Sequence, residues 1–176
     1  MARKVVIGSV RAAALSGGFF LAAGAIPLPD ASFDLVLCLQ LLEHAGDPAA
    51  VVGELSRLVR RGGRVLAATH GTSVYHPDPV DHWRWTHSGL ELLFAANGSW
   101  RSLSVEPGGG TASCLAMLAS FYLGVVGRRV KLGAMTVRMT RLINAAGERL
   151  DERADSADWL RPGSLVANYH VTAEGL

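Results

Sequence analysis

Apolar residues crowd Phe33-Asp-Leu-Val-Leu-Cys-Leu39 almost without a break. That pattern predicts a parallel strand covered on both faces, not an alternating strand with one wet side. Asp47-Pro48 then supplies a helix N-cap with proline at the first helical position. Val51, Val52, Leu55, Leu58 and Val59 fall on one helical stripe, and Glu54, Arg57, Arg60 and Arg61 take the opposite face. Gly62-Gly63 stops this helix, whose closing arginines complement its dipole. Arg64-Val-Leu-Ala-Ala-Thr69 is the next strand, completing a right-handed strand, helix, strand unit.

A polar and aromatic loop follows over residues 70–87. Ser88-Gly-Leu-Glu91 has the spacing of a capping box, with Thr86 as a rival cap, and Leu90, Leu93 and Phe94 give the helix an apolar face. Asn97-Gly98 ends it. Residues 100–106 alternate as a strand, closed by Pro107 and three glycines. Helices are predicted over 112–126 and 130–150, a turn at Arg161-Pro-Gly163, and a last strand over 165–172. The order of elements makes the chain α/β.

With 49% hydrophobic and 18% charged residues the chain has material for a core. Its 17 basic and 15 acidic residues leave a net charge of +2, with the arginines scattered, which points away from nucleic acid. Cys38 and Cys114 both sit in apolar runs, where a thiol behaves as a small hydrophobe, so no disulfide or zinc spacing is read and a cytoplasmic location is expected. Arg3-Lys4 before a small-residue apolar stretch sketches a signal peptide, but Arg11 and Gly17-Gly18 break it. The apolar run 114–126 is shorter than the ~20 residues a membrane span needs, so a buried or surface-docked helix is expected. Met117, Met135 and Met139 are assigned to the core, and Arg128, Arg129 and Lys131 to a solvated helix end.

Residues 26–69 carry a resemblance. Leu28-Pro-Asp-Ala-Ser-Phe-Asp-Leu-Val-Leu-Cys38, Leu42-Glu-His44 and Leu58-Val-Arg-Arg-Gly-Gly-Arg-Val-Leu66 are similar in kind and order to the type 11 domain of class I S-adenosylmethionine-dependent methyltransferases. His76-Pro-Asp-Pro-Val-Asp-His-Trp-Arg-Trp-Thr86 resembles a segment many such domains carry after the fifth strand. The resemblance implies a partial Rossmann-like fold: a mostly parallel sheet with helices on both faces and an antiparallel C-terminal strand. It implies an unrecognised segment at 1–25 and a methyltransferase-like domain at 26–176. The family's glycine-rich turn is not recognisable before Ile26, and no acidic residue occurs before Asp30. The expectation is therefore a chain that enters the family fold part-way, with Phe33–Leu39 as a sheet edge unless residues 4–10 or an apolar helix near Phe19 and Phe20 cover it. An uncovered edge would pair with a second copy as a homo-oligomer.

By the same resemblance the turn after the fourth family strand passes the methionine part of S-adenosylmethionine, which assigns Leu39, Gln40 and Leu41 to the cofactor. His44, His76 and Asp81 are the catalytic candidates, for a small-molecule acceptor. Glu43 and His44 also fit a role in holding the turn, and Tyr75 and His82 are substrate-facing candidates. A metal site among His70, His76, His82, His87, Asp78 and Asp81 matches no standard ligand spacing, so none is assigned. Trp83, Arg84 and Trp85 are expected to pin the loop, Arg84 by pairing a carboxylate or stacking on an indole. Methyl transfer is an in-line displacement governed by positioning, and needs a base only when the nucleophile carries a proton. The alternatives are a non-catalytic remnant serving as an interaction module and, behind it, a metal-dependent hydrolase.

Overall fold

The computed structural model describes residues 5–8, 26–77, 80–153 and 164–176. The turn expected at 161–163 lies outside them, as do Phe19 and Phe20. Two compact units are present. One comprises Met1–His70, Tyr75–Glu106 and Tyr169–Leu176, the other Gly71–Val74 and Pro107–Asn168.

A five-stranded sheet organises the first unit, built from β1 (Val5–Gly8), β2 (Phe33–Leu39), β3 (Val59–His70), β4 (Trp100–Gly108) and β5 (Asn168–Gly175), in the order β1-β2-β3-β5-β4. β1 lies parallel to β2, with Val5 opposite Leu35 and Gly8 opposite Cys38. The edge expected at Phe33–Leu39 is thus covered within the chain by residues 5–8, and pairing of copies through β2 loses its basis. β2 is also parallel to β3. β5 runs the other way. A Cβ on Gly175 would sit 2.7 Å from the carbonyl oxygen of Arg60, the amide of Leu176 donates to Ser99, and Glu174 pairs with Arg101. The end of β5 therefore lies against the beginnings of β3 and β4.

Helix α1 (Pro48–Leu58) starts as expected, with the Asp47 side chain accepting from the Ala50 amide at 3.0 Å. Its stripe of Val51, Val52, Leu55 and Leu58 is buried with Val36, Cys38, Val65 and Ala67. Burying four such side chains contributes roughly 6–12 kcal/mol before entropy is counted. The opposite face of β2 is wetter than predicted: Leu35 and Leu37 are half-buried and Leu39 is exposed.

The helix stops at Leu58, not at Gly62-Gly63. Val59 turns extended to pair with Phe33, and its amide still donates to Leu55. The pairing then skips to Leu35 with Arg64, leaving 60–63 as an irregularity in which Gly62 takes φ +68° and Arg60 pairs with Asp34. Arg57 alone remains in the last helical turn. Helix α2 (His87–Asn97) is capped by Thr86, whose hydroxyl accepts from Gly89 at 3.1 Å. The predicted box at Ser88 does not form, because Glu91 faces His87 one turn earlier.

The second unit is an antiparallel hairpin of α3 (Thr111–Arg129) and α4 (Gly133–Arg153). Small residues let the helices approach: a Cβ on Gly147 would lie 2.8 Å from that of Ala116, and one on Gly127 would strike Thr136. So narrow a seam buries few large side chains. Met135 and Met139, assigned to the core from sequence, are 52% and 42% exposed.

Candidate functional site

The parallel strands β2 and β3 both end at the same rim of the sheet, where ligands bind in open α/β folds. β2 ends at Leu39, which is exposed, and the chain reverses through Gln40 at φ +50°, its amide donating to Ala68 of β3 at 2.8 Å. Leu41 and Leu42 turn inward and are buried. Of the three residues assigned to the cofactor, Leu39 and Gln40 therefore stand at the rim and Leu41 packs beneath it.

Glu43 is the hub of the rim. Its side chain has no exposed surface, and Oε2 accepts a hydrogen bond from Thr69 Oγ1 at 2.7 Å. Oε1 has no hydrogen bond among the described residues, and His70 Nε2 lies 3.5 Å from it. The backbone carbonyl of Glu43 accepts from the amides of His82 and Trp83 at 2.8 and 3.1 Å. One residue thus joins the end of β3 to the loop that follows it.

His44 Nδ1 stands 2.9 Å from the carbonyl oxygen of Val80. A carbonyl can only accept, so Nδ1 carries a proton in this contact, and in the neutral form of the ring the lone pair lies on Nε2. The His76 ring lies 5.0 Å from that of His44 and 5.8 Å from that of His70, centroid to centroid. Three imidazoles, all partly exposed, gather at one rim.

Asp81 is held differently. Both its oxygens receive Arg84 at 2.5 Å, Oδ2 also accepts from the His76 amide at 3.2 Å, and its side chain is 1% exposed. The hydrogen bonds from Arg84 are the main reason its carboxyl titrates far below the usual range. The carboxylate is therefore saturated, and acts here as the clasp of the loop. Trp83 donates from Nε1 to Ala45 at 2.7 Å and stacks on Trp85, whose amide bonds to His70. The expected pinning by Trp83, Arg84 and Trp85 is found. Tyr75, at 70% exposure, and His82 face solvent. Among the described residues no cluster of three or more histidine, cysteine or acidic side chains is arranged to hold a metal ion.

Glu54 and Arg57, on the face of α1 opposite its apolar stripe, are half-buried. Arg57 bonds Glu54, Asp30 and the carbonyls of Ile26 and Leu28, while Glu54 accepts from the Ile26 amide. Only the i,i+3 spacing of the pair signalled it. Their role is to seat residues 26–30 on α1. Cys38, behind the rim, is wholly buried, which with the nearby Glu43 charge pushes its thiol up to about 12.

Residues 12–67 match a family described as a methyltransferase domain. A ubiquinone biosynthesis O-methyltransferase from Paracidovorax citrulli is 54% identical over 39 residues, 22% of this chain and 16% of that protein. The enzyme of the same name from Aeromonas salmonicida is 49% identical over 41 residues, 23% of this chain and 17% of that one. The chain thus aligns with about a sixth of the length of these relatives. A SAM-dependent methyltransferase structure from Thermotoga maritima superposes with a TM-score of 0.54 at 15% identity, covering 98% of this chain and 73% of that one. That likeness establishes the fold as Rossmann-like.

Proposed function

We propose, from the premise that residues 12–67 belong to the class I S-adenosylmethionine-dependent methyltransferases, that this chain serves methyl transfer to a protonated nucleophile of a small molecule, with His44 as the base. The observation that carries the reading is the bond from His44 Nδ1 to Val80, which leaves Nε2 as the proton acceptor at the strand-end rim. The names of the similar O-methyltransferases favour oxygen as the methylated atom.

Bound S-adenosylmethionine supplies a sulfonium methyl group. The fit of the described residues to it covers the methionine end alone: Leu39 offers an apolar surface and Gln40 a backbone turned sharply away from the strand. Among the described residues there is neither a glycine-rich turn for the cofactor nor a strand-end carboxylate for its ribose. Glu43 and Thr69 hold the turn. Asp81 and Arg84 hold the loop that bears His76, which closes the acceptor side. His44 Nε2 would take the acceptor's proton as its oxygen attacks.

Two measurements test this with the full chain. Calorimetric titration with S-adenosylhomocysteine is expected to show one site, weakened at least tenfold by Leu39→Asp. Methyl transfer to a panel of phenols and catechols is expected to fall 100-fold or more in His44→Gln, in line with loss of a general base. The competing reading, a non-catalytic module, is supported by the limited cofactor fit. It gains if no S-adenosylhomocysteine binds, and loses if binding and turnover are both seen.

A further inference from the structure

Outside the rim, the α3–α4 hairpin concentrates two properties that the rest of the molecule spreads out. Between Pro107 and Gly147 the chain has five cations, Arg128, Arg129, Lys131, Arg138 and Arg141, and no acidic residue. None of the five makes an ion pair among the described residues. Arg128 and Arg129 complement the end of the α3 dipole, but Arg138 and Arg141 lie inside α4 where that role does not reach. Large apolar side chains stand among these charges: Tyr122 is 70%, Leu142 64%, Val130 53% and Leu132 46% exposed. Phe121, Tyr122, Val125 and Val137 also line an open cleft of about 790 Å³ with Arg128 at its wall.

We propose that this hairpin docks on the surface of an anionic phospholipid bilayer. Charge complementarity selects the occupant. A neutral apolar partner would leave five guanidinium and ammonium groups against a surface with nothing to pair them. A second copy seated on the same stretch would set five like charges against five, since Glu148, Asp151 and Glu152 lie beyond it at the far end of α4. An anionic headgroup layer over hydrocarbon meets both the cations and the apolar side chains, which is the pattern of helices that lie in the membrane interface. Val130 and Leu132 at the tip enter between headgroups, while Arg128, Arg129 and Lys131 remain at phosphate level. Among the described residues α3 is the one helix long and apolar enough to cross a bilayer. It extends beyond the apolar run at both ends, but α4, packed along it, carries Arg138, Arg141, Glu148 and Glu152 and cannot follow it into hydrocarbon, so the hairpin is assigned to the surface. This site takes no part in the cofactor reading, and stands or falls separately from it.

The test is co-sedimentation of the full chain with vesicles of phosphatidylcholine alone and of equal parts phosphatidylcholine and phosphatidylglycerol. Binding to the anionic vesicles only is expected, reversed by salt. Each cation near such a surface strengthens partitioning about fivefold, so Arg128→Ser/Arg129→Ser/Lys131→Ser should weaken it about a hundredfold. All three positions are exposed, so the variant should keep its far-ultraviolet circular dichroism. A polarity-sensitive dye on Val130→Cys, the native thiols being buried, should shift to the blue on anionic vesicles. Equal or absent binding to the two vesicle types overturns the proposal. So does a dimer in light scattering that Leu132→Ser dissociates, since a second copy would then be the cover.

Discussion

Thr69 and Glu43, one at the end of β3 and one in the turn after β2, are both fully buried and joined by a hydrogen bond of 2.7 Å. The bond closes the two parallel strands at their carboxyl ends, and it gives a buried carboxylate one of its few partners. Thr69→Val keeps the shape and removes the donor. It is expected to cost about 2 kcal/mol, because the acceptor stays buried without its bond. Thr69→Ser keeps the hydroxyl and should cost about 1 kcal/mol for the lost methyl group. Urea unfolding of the pair reads the difference. Equal losses in the two variants would show that the hydroxyl contributes nothing.

The clasp between Asp81 and Arg84 should be indifferent to pH in the neutral range. Hydrogen bonds from Arg84 lower the carboxyl below its ordinary value of 3.8. A depressed carboxyl adds stability that is fully present above the ordinary value and is lost as pH falls through the folded one. The fluorescence of the stacked Trp83 and Trp85 should therefore hold from pH 7 to about pH 4 and change only in stronger acid. Asp81→Asn should lose about 2 kcal/mol of loop stability, the worth of a hydrogen bond to a charged group. It should also remove the acid transition. A transition near pH 6 in the parent would assign control of the loop to its histidines instead.

Cys38 and Cys114 should be silent toward thiol reagents in the folded protein. Both are buried, and burial pushes both thiols up, Cys38 to about 12. Since the thiolate is the reacting species, Ellman's reagent at pH 8 should find no fast thiol until denaturant is added, and two thereafter. One fast thiol without denaturant would mean that the packing of α1 on β2, or of α4 on α3, opens readily.

Much of this architecture is legible in the sequence where local rules and tertiary needs agree. Asp47-Pro48 starts α1 because cap, proline and apolar stripe all point the same way. Local rules misled where long-range pairing prevailed. Gly62-Gly63 reads as a helix stop, yet Val59 leaves the helix three residues earlier to reach Phe33, a partner 26 residues back. Ser88 and Glu91 have the spacing of a capping box, but spacing does not say which of two hydroxyls lies nearer the free amides, and Thr86 does. At the rim, the turn after β2 was legible through its resemblance to a family. The proton on His44 Nδ1 was not, because its acceptor is the carbonyl of Val80, 36 residues on.

Asp151, near the end of α4, reaches the open N-terminus of α3. Its carboxylate accepts from the amides of Gly110, Ala112 and Ser113 at 3.2, 2.9 and 2.8 Å. Gly110, the N-cap residue, offers no side chain for the purpose. Burial pushes the Asp151 carboxyl up, but the bonds from Ser113, Ala112 and Gly110 together outweigh it and hold it below its ordinary value. The negative charge also faces the positive end of the α3 dipole. Asp151→Ala should therefore cost about 2 kcal/mol, at the upper end for loss of a helix cap. Asp151→Asn keeps one acceptor oxygen and should cost about half as much. The sign with pH follows from the depressed carboxyl: the contribution is complete above the ordinary aspartate value and declines as acid protonates the folded form. The gap in denaturation midpoint between the parent and Asp151→Ala should accordingly be widest near neutrality and narrow below about pH 4. A gap independent of pH would assign the effect to packing at Gly110, where a Cβ would meet the Asp151 carboxylate, and not to the charge.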